Sequence, residues 1–251
     1  MPWLGAVLLA GLSVAAPLGA DEPPFAVGER ITFRIRYLHV LAGRAWLRTE
    51  PAGPDGALRR FVEEARSQGF FAWLFHFRVD DRTVAEWDPA TQSSLGIEKH
   101  LREGKSTRDQ MVRIDPAARM ATLDDPKIAT HRFEVEPRVL DILSALYVAR
   151  LRGVTETEPL YLPVFDNGKR YRLGVRFLGR QILDLPLPLG RRPTIVVEPQ
   201  LLEGTGLFVK EGRLKIWLTE DGRRIPVRME ARVPLGAIAA DLESYESGRV
   251  P

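Results

Sequence analysis

The sequence predicts a mainly β protein, a strongly curved antiparallel sheet or half-open β-barrel with one α-helix packed on it. Three observations predict it. Apolar and polar residues alternate along most of the chain, which is the period of a strand with one wet face. Turn-forming residues recur between those runs, as in Pro51 to Gly56, Asp166-Asn167-Gly168 and Glu220-Asp221-Gly222. A single stretch, residues 138–152, has apolar positions at helical spacing.

Taken in order, residues 31–37 place Ile31, Phe33, Ile35 and Tyr37 on one face, and residues 43–49 supply the partner of a first hairpin. Residues 58–67 form the next strand. Residues 69–79 (GFFAWLFHFRV) are apolar on both faces, with Phe71, Trp73, Phe75 and Phe77 on one side. Such a run is either buried on both sides or borders a ligand space. Successive strands follow at 83–87, 94–102, 105–115 and 120–123. The helix at 138–152 opens after Pro137 and closes at Gly153, with Val139, Ile142, Leu143, Leu146, Tyr147 and Leu151 as its apolar positions. Strands resume at 158–164, at 171–178 (Tyr171, Leu173, Val175 and Phe177 on one face) and at 194–199. The last three span 214–219, 225–233 and 238–245. Closing such a sheet on itself is the commonest way to protect its edges.

Residues 3–20 are apolar and uncharged, ending Pro17-Leu18-Gly19-Ala20 before Asp21-Glu22. This reads as a signal peptide cleaved after about Ala20, which leaves 21–251 as a single β domain and predicts a periplasmic location. No later run is long enough for a stable transmembrane segment. The chain has no cysteine, which excludes disulfides, thiolate metal sites and thiol catalysis. Its net charge of +3 is spread with mixed sign, without the concentrated basic face of a nucleic-acid binder.

The run Gly212 to Arg228 (GRLKIWLTEDGRRIPVR) resembles the C-terminal signature of the DUF3108 family of uncharacterised exported bacterial proteins. Residues 25–37 (FAVGERITFRIRY) are similar to that family's opening strand, and Ala42-Gly43-Arg44-Ala45 to its second. The segment Asp141 to Tyr147 (DILSALY), with Arg150, is similar to its helix. The resemblance spans roughly residues 25 to 246 and implies export and a β-barrel-like fold. The general build is similar to that of periplasmic lipid- and lipoprotein-handling proteins with a half-open barrel and a plugging helix.

No catalytic residue, metal site or cofactor is expected. His39, His76, His100 and His131 show no helical i, i+4 pairing, and Ser144 lacks a Gly-x-Ser-x-Gly elbow. Ser144 is expected to bond a helical carbonyl, and Asp141 to act as a helix-face or first-turn carboxylate favoured by the dipole. The acids Asp80, Asp81, Glu86, Asp88, Asp124 and Asp125 lie where turns collect Asp for conformational reasons. The expected role is therefore binding of a lipid or other apolar small molecule in a β cup. Its candidate lining is Phe71, Trp73, Phe75, Phe77, Leu146, Tyr147 and Trp217. The alternative is a packed core with an envelope-protein or glycan partner, Trp217 serving as a stacking platform on the face opposite Leu214, Ile216 and Leu218.

Overall fold

The computed structural model describes residues 24–68, 78–202, 214–233 and 236–248. Its first half is a meander of β1 (Glu29–Tyr37), β2 (Val40–Ala52), β3 (Leu58–Ser67), β4 (Asp80–Asp88) and β5 (Ser93–Glu103). It continues as β6 (Ser106–Asp115), β7 (Met120–Asp125) and β8 (Ile128–Glu134). The helix α1 (Ile142–Arg152) follows. The chain returns through β9 (Leu160–Asp166), β10 (Lys169–Asp184), β11 (Arg191–Leu201), β12 (Leu214–Thr219), β13 (Pro226–Val233) and β14 (Gly236–Ser247).

The fourteen strands among the described residues all belong to one sheet, ordered β8-β7-β6-β5-β4-β3-β2-β1-β14-β13-β12-β11-β10-β9. The two meanders therefore join where β1 pairs with β14, and α1 is the connection between the two edge strands. Register shifts interrupt β1, β4, β7, β10 and β12, and each adds local bend and twist. The sheet curls until its edges touch. Phe133 of β8 and Phe165 of β9 lie 5.3 Å apart between ring centres, and Arg170 Nη1 donates to the Glu134 carbonyl at 3.4 Å. No β8–β9 ladder forms. Instead Leu140 runs parallel to β9, giving its N–H to Pro163 O and accepting from Phe165 N–H. The sheet is thus not closed by strand pairing: its edges meet through side chains, and the approach to the helix bridges β9 at one residue.

The strand β8 was not expected from the sequence. Its exposed residues Ala129, Thr130, His131 and Arg132 carry little apolar alternation, as suits an edge wet on most sides. The helix also begins later than its spacing predicts. Arg138 has φ +57°, and Val139 and Leu140 belong to the extended approach, so the first helical residue is Ile142. Asp141 is its N-cap and not a first-turn residue. One carboxylate oxygen accepts from the Leu143 and Ser144 amides at 2.8 and 2.9 Å. The other accepts from the hydroxyls of Ser144 and Ser94 at 2.6 and 2.7 Å. Ser144 thus bonds the cap, not a helical carbonyl, and Ser94 ties the cap to β5.

Helix α1 is buried around most of its circumference, including Ser144, Ala145, Val148 and Ala149, whereas Ile142, Leu146 and Leu151 are only partly buried. A helix plugging a barrel has no wet face to alternate with. Tyr147 stacks on Phe61 at 3.7 Å, and Phe25 meets Phe61, Trp87 and Tyr147 edge-on at 5.1 to 6.2 Å. At the far end Arg150, wholly buried, makes a two-pronged pair with Glu29 at 2.8 Å for both bonds. The same guanidinium donates to the carbonyls of Pro24, Arg223 and Arg224 at 3.1 to 3.3 Å.

Removing one partner of such a pair strands a buried charge. Arg150→Met and Glu29→Gln are each expected to destabilise the protein by about 3–5 kcal/mol. The double variant should lose much less than the sum, as read in a urea-denaturation double-mutant cycle.

Candidate functional site

The inner wall of the barrel changes character along β3, β4 and β5. On β3 the inward positions are Phe61, Glu63, Ala65 and Ser67; on β4 they are Trp87, Ala85, Thr83 and Asp81. The register sets Phe61 opposite Ala85, Glu63 opposite Thr83, and Ala65 opposite Asp81. Thr83 in turn faces Lys99 of β5. The half of the wall nearest α1 is thus aromatic and aliphatic, and a polar row crosses its middle.

Within that row Lys99 and Asp166 form a buried ion pair that crosses from β5 to the end of β9. Glu63 has no ion pair among the described residues, and Lys99 acts on it only weakly. Burial, partly relieved by a hydrogen bond from Thr83, pushes its carboxyl up to about 7. Asp81, which accepts from the Arg102 amide at 2.7 Å, is raised mainly by burial, and so is Glu103, to which Asp81 adds repulsion. Among the described residues no three His, Asp or Glu side chains are grouped to hold a metal ion.

Beyond the polar row the wall opens into a cavity of about 270 Å³, bounded by Ile35, Tyr37, Ala42, Ala65, Val79 and Ile238. Arg66 and Ser67 also border it, yet the surface it presents is apolar throughout. The cavity exists because its floor is built from small residues. Gly43 is required there: a Cβ on it would stand 2.3 Å from the Arg66 carbonyl oxygen. Ala42-Gly43 in β2 and Ala65 in β3 were visible in the sequence as small residues within strands, but not as the floor of a space.

The DUF3108 profile, described as a protein of unknown function, matches residues 32–243. The chain belongs to the DUF3108 family. No curated protein matches it. Its fold is similar to that of a β-barrel-like protein of another domain of unknown function, DUF1849, from Brucella abortus. The TM-score is 0.59 at 10% identity, covering 88% of this chain and 98% of that one. A Bacteroides fragilis structure, a candidate exported protein with a YmcC-like fold, aligns with a TM-score of 0.36 at 12% identity over 89% and 97% of the two chains.

In this DUF3108 protein the segments that carry the resemblance converge on the helix. Asp141 and Ser144 make its cap, Tyr147 stacks in the core, and Arg150 reaches Glu29 of the opening strand. In the C-terminal signature, Asp221 accepts from Thr219 Oγ1 and from the Arg223 and Arg224 amides at 2.8 to 3.1 Å. That turn aims the Arg223 and Arg224 carbonyls at Arg150, while Arg224 Nη1 donates to Arg150 O at 2.8 Å. These segments tie the helix to the sheet.

Of the candidate lining, Phe71, Trp73, Phe75 and Phe77 lie outside the described residues. Tyr147 is packed into the aromatic core, and Leu146 packs against it. Trp217 does face away from Ile216 and Leu218, but it is only 7% exposed. Its Nε1–H donates to Gln181 Oε1 at 2.8 Å and the Arg228 guanidinium covers its ring, which leaves no stacking platform. None of these three borders the 270 Å³ cavity.

Of the other titratable candidates, His76 lies outside the described residues, and several of the rest are engaged in ion pairs or turns. His100 bonds Asp109 and Glu98 at 2.9 and 2.8 Å, and those bonds raise its pKa. Glu86 pairs with Arg60, Asp124 with Arg113, and Asp88 closes the turn to Ala90 and Thr91.

Glu63 makes stability depend on pH. Its carboxyl titrates near 7 when folded and near 4.5 when unfolded, so the folded state holds the extra proton between those values. Its contribution is therefore fully present below pH 4.5 and lost as pH rises through about 7. Glu63→Gln should match wild type in urea denaturation at acid pH and exceed it at pH well above 7, by up to about 3 kcal/mol.

Proposed function

We propose that this protein is an exported, non-catalytic binder of apolar molecules, taking an acyl segment into the mouth of its β cup. The cavity carries this reading: about 270 Å³ of space with an apolar wall, on the inner face of β14, β1, β2 and β3. Small-molecule sites run from about 300 to 1,000 Å³, so a space of this size suits part of a lipid and not a whole one. Burying roughly eight methylenes at about 0.8 kcal/mol each would supply about 6 kcal/mol without a specific polar contact. That corresponds to dissociation in the range of about tens of micromolar. Export is supported by the leader-like residues 3–20, and the periplasm is the compartment proposed. The absence of catalysis belongs to the same proposal.

The test is to express the protein with its leader in a Gram-negative host and analyse the periplasmic product by native mass spectrometry. A bound acyl-containing species is expected in wild type. Ala65→Phe, which fills the cavity, should cut its occupancy several-fold while the thermal midpoint stays level or rises. Wild type that emerges ligand-free, and takes up no acyl chain when offered one, would exclude the reading and favour a packed scaffold with a protein or glycan partner.

A further inference from the structure

The hairpin that joins β1 to β2 is built against the usual rules. Leu38 and His39 form its two-residue loop, between the paired residues Tyr37 and Val40, and both have positive φ, +46° and +70°. Such turns ordinarily take Asn-Gly or Asp-Gly, because a bulky side chain is strained in the left-handed region. The strained residue is moreover spread into solvent: Leu38 is 55% exposed, beside Val40 at 51%, Leu41 at 43% and Ile238 at 39%. These form one patch. Tyr37 pairs with both Val40 and Ile238, the Leu38 amide bonds Ala237 O, and Leu38 leans over Gly236, where any Cβ would stand 2.4 Å from it. Strain that the surroundings hold in place is a pointer to function.

Two further observations indicate what covers the patch. Tyr37 and Ile238 also border the apolar cavity, so patch and cavity are continuous. The same end carries exposed Arg78, Lys105 and Arg232, which have no ion pair among the described residues. Arg78 precedes the cavity residue Val79, its carbonyl accepts the Gly104 amide next to Lys105, and Arg232 pairs with Ala237 beside Ile238. Of the acids at this end, Asp80 is paired with Arg66, Asp81 accepts the Arg102 amide, and Glu103 lies within the influence of Arg108. An apolar tip rimmed by basic groups matches an anionic lipid surface, with acyl chains below and phosphates around.

We propose that the β1–β2 tip docks on an anionic bilayer surface and sets the cavity mouth against it. This rests on the reading of the cavity as an acyl site, which it extends by naming where the chain is taken up or handed over. Leu38, Val40, Leu41 and Ile238 enter the interface, and Arg78, Lys105 and Arg232 meet lipid phosphates.

The full mature protein would be co-sedimented with vesicles of phosphatidylethanolamine plus phosphatidylglycerol, and with vesicles of phosphatidylcholine alone. Binding to the first, weakened by salt, is expected. The decisive variant is Leu38→Asn, which relieves the turn and removes the apolar tip. It should raise the thermal midpoint and lower vesicle binding about ten-fold, whereas a tip present for stability would lose stability instead. Replacing Arg78, Lys105 and Arg232 by Ser should abolish the preference for anionic vesicles. Unchanged binding in Leu38→Asn overturns the proposal. So does wild type that carries an acyl ligand yet ignores both vesicles, a result that would point to a protein donor. Vesicle binding by a protein that never holds an acyl chain would support the tip while removing the cavity reading beneath it.

Discussion

The buried guanidinium of Arg150 is the constraint on which the rest of the structure depends. A charge inside a barrel is tolerable only when every donor is used and a counter-charge is held rigidly beside it. Glu29 supplies the counter-charge, and three carbonyls from two other segments take further donors. Satisfying this one group fixes the end of α1, the start of β1, the approach of residues 24 and 25, and the turn between β12 and β13. Its opposite number is Asp141, whose cap is pinned to β5 through Ser94. The helix is thus held at both ends by buried charged or polar groups, and its sides need only fill space. That is why α1 can be buried almost all round and still have one orientation.

This arrangement divides the interior. Where the helix plugs the sheet, Phe25, Phe61, Trp87 and Tyr147 close the space with rings. Past the reach of the helix the wall has nothing of its own to pack against, and its composition changes accordingly. Glu63, Thr83 and Lys99 replace the rings, and Ala42, Gly43 and Ala65 then replace the polar row. A barrel stabilised at one end has no need of a filled core at the other. The cavity is therefore a feature the fold can sustain, since removing apolar volume from the plugged half would be far more costly.

Much of this was legible in the sequence. Period-two alternation located thirteen of the fourteen strands, because strands with one wet face write their own pattern. It missed β8, whose exposed edge lacks that pattern. The helix was found, but its start was placed four residues early. The apolar residues Val139 and Leu140 fit helical spacing equally well, and what stops them is a partner distant in sequence, the edge of β9. The roles of Arg150 and of the Asp141–Ser94 bond were likewise out of reach, since the partners Glu29, Arg223 and Ser94 lie 121, 73 and 47 residues away, whereas the local cap between Asp141 and Ser144 was hidden by the misplaced helix start. The cavity was invisible for a different reason. Small residues in strands read as weak strand formers, and only the register shows that Ala42, Gly43 and Ala65 face one space.

The two ends of β1 show how stability and function are apportioned. Glu29 at one end pairs with Arg150, and Tyr37 at the other, about 26 Å further along the strand, borders the cavity and leads into the strained turn. Strain at Leu38 and His39, empty volume and exposed apolar side chains each reduce stability, and they lie together at the end the helix does not reach. They meet on neighbouring residues of β1, β2 and β14, opposite the charged lock, and this is the end that the proposed acyl site and docking tip would use.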